Sequence, residues 1–379
     1  MAAAVFLRRL FAKSHTNMTT ASTSLSHQRK LPLPTQPTRV YPKPLWFSIL
    51  LTRYIRDYLS YRKTGSTTAQ ACVNLRRLFR LTNGRFNDLV ARLDGLLHRP
   101  RVLSYDAGAP GIVGVASDDS LSRITANLRA DGLHLFSTRL PKEMCQRLRR
   151  LAETTPCRVE SSRGVHPEPA VYDPNTPLGT RYKVDQQTLH EAADIQRLVT
   201  DASLLNIAQA YLGCQPVFIG CQLWWTTAYS HQACSKSAQL YHFDMPQIKF
   251  LKIFVYLTDV DENTGPHRFV RGSHRRNPAA LREDRRYRDE EILAHYPPDR
   301  IAAMTGPTGT IFAEDTRGFH KGTPVHQGHR LVLQLQYATS GFGGLGEPII
   351  VNDRFSAQFI QMMDRYPRIY SSRFLRNAK

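Results

Sequence analysis

The chain has 379 residues, 41% hydrophobic and 22% charged, a globular balance that excludes wholesale disorder and allows a sizeable core. It carries 51 Lys+Arg against 31 Asp+Glu, net +20, unevenly spread: residues 1–110 hold 18 basic and 4 acidic side chains, +14, which leaves +6 for the remainder. No apolar run approaches the roughly 20 residues that cross a bilayer, so no membrane span is expected. The basic surplus fits a solvated face and tail, or equally a surface for nucleic acid, anionic lipid or an anionic substrate.

Residues 1–44 read as a Pro/Ser/Thr-rich basic tail without packed structure, because LPLPTQPTRVYPKP cannot sustain a helix. No acid precedes Asp57, and the opening MAAAVFLRRLFAKSH is basic and amphipathic. That suits a mitochondrial presequence in a eukaryote, a plain basic tail, or a start at Met18. The six cysteines show no C-x-x-C pair, so a reducing compartment is expected: the cytoplasm, with the mitochondrial matrix as the alternative. Residues 45–110 form a basic helical segment, since LWFSILLTRYIRDYLSYR and VNLRRLFRLTNGRFNDLVARLDGLL each carry one apolar stripe. It either covers the core or contacts something acidic. Glycines and Pro110 mark a linker over 101–118.

From Asp119 the pattern predicts a helix, a short strand at Leu133 to Phe136, a second helix, a proline-broken loop region over 158–200, and a helix near Asp194–Ala202. Strands then dominate: PVFIGCQLWWTTA (216–228), LKIFVYLTDV (251–260), HRFV, GTIFA (309–313) and HRLVLQLQYAT (329–339). Short strands separated by turns fit an antiparallel barrel or jelly roll. The fold class is therefore mainly β with flanking helices, a double-stranded β-helix core over 111–345, and a helical extension over 346–379 that includes DRFSAQFIQMMDRY.

Two imidazoles and one carboxylate on one face of a metal, the other face open, make a non-haem Fe(II) site. Strand alternation turns residues i and i+2 to the same side, so His242-x-Asp244 on a strand would aim both ligands inward. His320, between GTIFA and the last long strand, is placed to be the third. H-x-acid alone is weak. His166 and Glu168 match it too, in a proline-broken loop. Arg330, ten residues beyond His320, opens a strand otherwise apolar or amide-bearing; a guanidinium there suits a carboxylate held by two parallel hydrogen bonds.

LYHFD (240–244), LTDVDENTGPHRFVRGSHRR (257–276), GTIFAEDTRGFHKGTPVHQGHR (309–330) and the strand LVLQLQYA together resemble the phytanoyl-CoA dioxygenase family of Fe(II)/2-oxoglutarate oxygenases, over roughly residues 120–345. Arg271 stands where the family usually has proline, and Thr264 separates Asn263 from Gly265. The resemblance implies a jelly-roll core, Fe(II) on His242, Asp244 and His320, and 2-oxoglutarate on Arg330. It also implies O2 as co-substrate, with succinate and CO2 released. Asp244 fills a position that halogenating relatives leave small, which points to hydroxylation. Gln222 either hydrogen-bonds the co-substrate or packs in a buried strand. Of Trp224 and Trp225, which alternate faces, one lines the cavity, while Ser273, His274, Asn263 and Gly265 shape turns. Three functions stay open: a hydroxylase of a small organic or acyl-thioester substrate, the same chemistry on a protein or nucleic acid, and a non-catalytic binding protein. The sequence does not fix the oligomeric state.

Overall fold

The computed structural model describes residues 43–101, 111–114, 118–230, 233 and 238–376. The expected tail 1–44 falls outside these apart from its last two residues, and most of the 101–118 linker does too.

Thirteen strands form among the described residues: β1 (Leu133–Arg139), β2 (Cys157–Ser161), β3 (Gly164–Val165), β4 (Arg181–Val184), β5 (Val217–Thr227), β6 (Phe250–Tyr256), β7 (His267–Val270), β8 (Ile301–Met304), β9 (Thr310–Glu314), β10 (His320–Gly322), β11 (His329–Ala338), β12 (Ile349–Val351) and β13 (Phe374–Arg376). Eight build one sheet in the order β1-β9-β6-β11-β5-β4-β2-β3, with every neighbour antiparallel. β10-β7-β8 build a second sheet facing it.

Alternation sorts the side chains of the large sheet. Leu331, Leu333 and Leu335 of β11, Leu251, Ile253 and Val255 of β6, and Leu223 and Trp225 of β5 turn outward. There they meet helices Lys142–Thr154, Ala193–Val199, Ala202–Leu212 and Ala357–Arg365. Phe254, Tyr256, Phe312 and Val332 turn inward and pack on Phe269, Ala302 and Met304 of the second sheet. The core is thus a jelly roll with helices on one outer face. Burying each outward leucine is worth about 1.5–3 kcal/mol, so this face holds the sheet while the inner face is free to carry polar groups.

Helices Lys43–Thr64, Ala69–Thr82 and Arg85–Leu97 form a layer against the barrel: Leu50, Tyr54, Tyr58, Leu75, Leu78 and Phe86 pack with Ile248 and Phe342. Covering the core is what these helices do. Their boundary is set by Asn83, left-handed at φ 49°, and Gly84 at φ 82°.

Seven strands escape the sequence pattern. β2, β3 and β4 fall in or at the edge of the stretch expected to be loop, and β8 and β10 have four and three residues, too few for a period to register. β12 and β13, a parallel pair of three-residue strands, lie in 346–379, so that stretch is not purely helical, contrary to expectation: two helices, Ala357–Arg365 and Pro367–Tyr370, stand between them. β7 spans the predicted HRFV. The helix near Asp194–Ala202 proves to be two, broken at Thr200–Asp201, with Asp201 capping the second through Leu204 N. Gly265 sits at φ 77°, and a Cβ there would lie 2.5 Å from Thr323 O, so the turn requires glycine.

Candidate metal centre

The segment carrying His242 and Asp244 is not a regular strand, contrary to the sequence expectation. Two single bridges hold it: Tyr241 to Tyr287, and His242 to His320. The backbone NH of His242 donates to His320 O at 3.0 Å, that of His320 to His242 O at 2.9 Å, and that of Asp244 to Thr316 O at 2.7 Å. Alternation still operates. Tyr241, Phe243 and Met245 point outward into an aromatic cluster with Phe319, Tyr287 and Phe79, which leaves His242 and Asp244 pointing inward.

Ligand atoms of His242, Asp244 and His320 lie within 4.8 Å of one another. Asp244 Oδ2 is 3.3 Å from His320 Nε2, and Oδ1 is 3.8 Å from His242 Nε2. His242 Nδ1 donates to Leu240 O at 2.9 Å and His320 Nδ1 to Gly318 O at 3.0 Å. A carbonyl only accepts, so both Nδ1 atoms carry the proton and both Nε2 lone pairs face the shared point. Burial, then the neighbouring His320, pushes His242 well below the ordinary imidazole pKa, which keeps it neutral. Burial would raise the Asp244 carboxyl, but the Lys252 ammonium, 2.6 Å from Oδ2, and the His320 ring hold it well below the usual range. Two imidazoles and an ionised carboxylate on one side of an open point are the donor set of a divalent-metal facial site.

Arg330 opens β11 opposite Thr226 of β5 and is 4% exposed. Its Nε and Nη1 are buried with no acceptor among the described residues. Burial lowers its pKa, Tyr256 opposes that and nearby Arg181 adds to it. A Cβ on Gly322, two residues after His320, would lie 3.0 Å from Arg330 Nη2. The glycine therefore leaves the room the guanidinium takes. These residues fit a metal ion together with a small carboxylate co-substrate.

The other candidates fall into place by parity. Gln222 and Trp224 share the inner face with Arg330, through the pairs Gln222–Gln334, Trp224–Val332 and Thr226–Arg330. Gln222 is exposed, so the packing alternative for it fails. It lies four residues from Thr226, about 13 Å along the same face of the strand from Arg330's partner. Trp224 is the inward tryptophan; Trp225 is buried outward, its Nε1 donating to Ala152 O. Ser273 Oγ donates to Val270 O and accepts from Phe319 N, and so fixes the residue before His320. The rival pair is separate: exposed His166 has its Nδ1 on Glu168 O.

Sequence reasoning missed Lys252. A lone charge in an apolar strand was the signal that singled out Arg330, and Lys252 in FLKIFVY shows the same signal. It also missed His267, which stacks on His320 with centroids 5.5 Å apart and lies 2.7 Å from the fully buried Glu314.

A family model described as phytanoyl-CoA dioxygenase matches residues 128–330. No curated protein matches the chain. Among solved structures, EctD from S. alaskensis with bound Fe is 17% identical, over 74% of this chain and 97% of that one, with TM-score 0.43. The non-heme alpha ketoglutarate dependent epimerase SnoN from nogalamycin biosynthesis is 19% identical, over 59% and 84%, TM-score 0.43. AviO1 from Streptomyces viridochromogenes Tue57 is 17% identical, over 59% and 96%, TM-score 0.41. Likenesses this remote carry nothing about the reaction catalysed here.

Proposed function

The chain belongs to the phytanoyl-CoA dioxygenase family, whose model covers more than half of it, and from that premise we propose that it is an Fe(II)- and 2-oxoglutarate-dependent dioxygenase that hydroxylates a small organic or acyl-thioester substrate. His242, Asp244 and His320 hold the iron through Nε2, a carboxylate oxygen and Nε2. Arg330 takes the far carboxylate of 2-oxoglutarate at the end of the cavity where Gly322 leaves space. Iron and 2-oxoglutarate together supply the oxidant made from O2, with succinate and CO2 released.

The protein's own contribution is positional. Leu240 O and Gly318 O lock the two imidazole tautomers, so neither ring must reorient to bind metal. Lys252 keeps the Asp244 carboxylate ionised and turned toward the imidazoles. Phe254, Tyr256, Phe312 and Val332, packed against Phe269, Ala302 and Met304, close the space between the two sheets with apolar side chains. Gln222, exposed on the same inner face, meets the substrate half of the cavity. A carboxylate in the third ligand position supports hydroxylation over halide transfer.

The observation that carries this reading is the conjunction of a three-residue cluster able to hold a metal with a buried guanidinium that has no acceptor among the described residues. The test is succinate release from 2-oxoglutarate with Fe(II) and a panel of candidate substrates. Asp244→Ala is expected to lose both metal binding and succinate formation, and turnover retained in that variant would remove the ligand assignment.

A further inference from the structure

One more side chain stands in the row of metal ligands. Tyr241 and Tyr287 exchange both backbone hydrogen bonds, N to O at 3.1 and 2.8 Å, and their rings share the outer aromatic cluster. In an antiparallel pair so registered, the residues next across are His242 and Arg286, turned to the opposite face. His242 bridges in turn to His320. Arg286 therefore lies beside His242, and it acts electrostatically on both His242 and Asp244.

The Arg286 guanidinium forms no hydrogen bond or ion pair among the described residues, and its Nη1 is buried. The contrast with its neighbour is sharp: Arg285 reaches Glu291 at 2.6 Å and lies over the Tyr287 ring. Asp244, one of the two carboxylates that act electrostatically on Arg286, is already committed to Lys252 and to the metal position. The inner wall opposite adds Lys252 and the amides Gln222, Gln334 and Gln336, with Lys183 in the same face of β4. A partly buried guanidinium without an acceptor, set beside the metal, is a receptor for a planar oxyanion.

We propose that Arg286 binds a carboxylate of the substrate, so that the substrate is a free organic acid oxidised at a carbon within a few bonds of that group. The proposal rests on the iron and 2-oxoglutarate reading above and narrows it. An acyl thioester presents no charge at its reacting end and would leave Arg286 unpaired. A free acid satisfies it and places its neighbouring C–H bonds against the metal.

The experiment uses the full chain loaded with Mn(II) and saturating 2-oxoglutarate, which binds without turnover. Matched acid and amide pairs (hexanoate and hexanamide, benzoate and benzamide, N-acetylglycine and N-acetylglycinamide) are titrated by calorimetry. At least one acid is expected to bind tenfold or more tightly than its amide. R286Q is expected to abolish that preference, and R286K to retain part of it. Acids and amides that bind alike, a panel in which no acid binds, or an acid preference that survives R286Q overturns the proposal. The 2-oxoglutarate titration itself separates the two readings. If the Mn(II)-loaded wild type does not bind 2-oxoglutarate, the oxygenase reading fails; if it does and acids are not preferred, only the present inference fails.

Discussion

Single side chains in this site act through partners they lack as much as through partners they have. Arg330 is the plainest case: a guanidinium at 4% exposure whose Nε and Nη1 find no acceptor among the described residues is costly to bury. Arg330→Ala is expected to raise the 2-oxoglutarate concentration for half-maximal succinate release about 100-fold, in line with the ~2–3 kcal/mol of a charge-assisted pair, while Mn(II) affinity stays as in wild type. An unchanged requirement would move the co-substrate elsewhere. Lys252 is the opposite case, with its ammonium 2.6 Å from Asp244. Lys252→Met leaves that carboxylate without its cation, a loss of about 3–5 kcal/mol when one partner of a buried pair is removed. The metal-free variant is expected to melt several degrees below wild type and to regain most of the deficit with saturating Mn(II). Equal melting without metal would show that the pair does not hold the carboxylate.

At the scale of elements, the ligand segment is held by packing behind it rather than by a ladder. Phe243, the residue between the two ligands, lies 5.8 Å from the Phe79 ring of helix Ala69–Thr82 and 5.6 Å from Phe319, which precedes His320. Phe319 also meets Tyr287 edge-on at 5.5 Å. The aromatic cluster thus clamps the residues flanking every ligand. Phe79→Ala is expected to cost about 3–5 kcal/mol in denaturant unfolding and to weaken Mn(II) binding as well. A variant less stable but with unaltered metal affinity would make the clamp purely structural. The strands β5, β6, β9 and β11 were legible because each is a stretch of apolar residues rich in β-branched, aromatic and leucine side chains between turn signals. β4, carrying Arg181 and Lys183, and β10, three residues ending in glycine, show no such period and become strands only through their neighbours. The H-x-D segment was readable by parity even though its strand character was not, because two-residue alternation survives wherever the backbone stays extended.

Across the whole molecule, the helices before residue 98 are tied to the barrel by buried charge. Arg317, 4% exposed, pairs with Asp315 at 2.8 Å and with Asp88 of helix Arg85–Leu97 at 2.9 Å. Asp94 of the same helix is 1% exposed, and burial pushes its carboxyl up to about 7 against the pull of Arg368 and Arg62. In the unfolded chain it titrates near 3.9. A carboxyl raised on folding contributes stability that is present below the unfolded pKa and is lost as pH rises through the folded one. Asp94→Asn removes that loss. The melting temperature of Asp94→Asn minus that of wild type is therefore expected to grow from about pH 4 to about pH 8; a difference flat over that range refutes the assignment. The amino-acid sequence by itself pointed to the candidate ligand set, two imidazoles and a carboxylate, and to a separate guanidinium, because residue type and two-residue parity are local properties. It also pointed to the antiparallel β core, because strand-forming residue content and intervening turn residues are local too. Only the tertiary structure decided that Lys252 meets Asp244 and that Phe79 backs Phe243. Each of those contacts joins two different elements, and no pattern within either element encodes it.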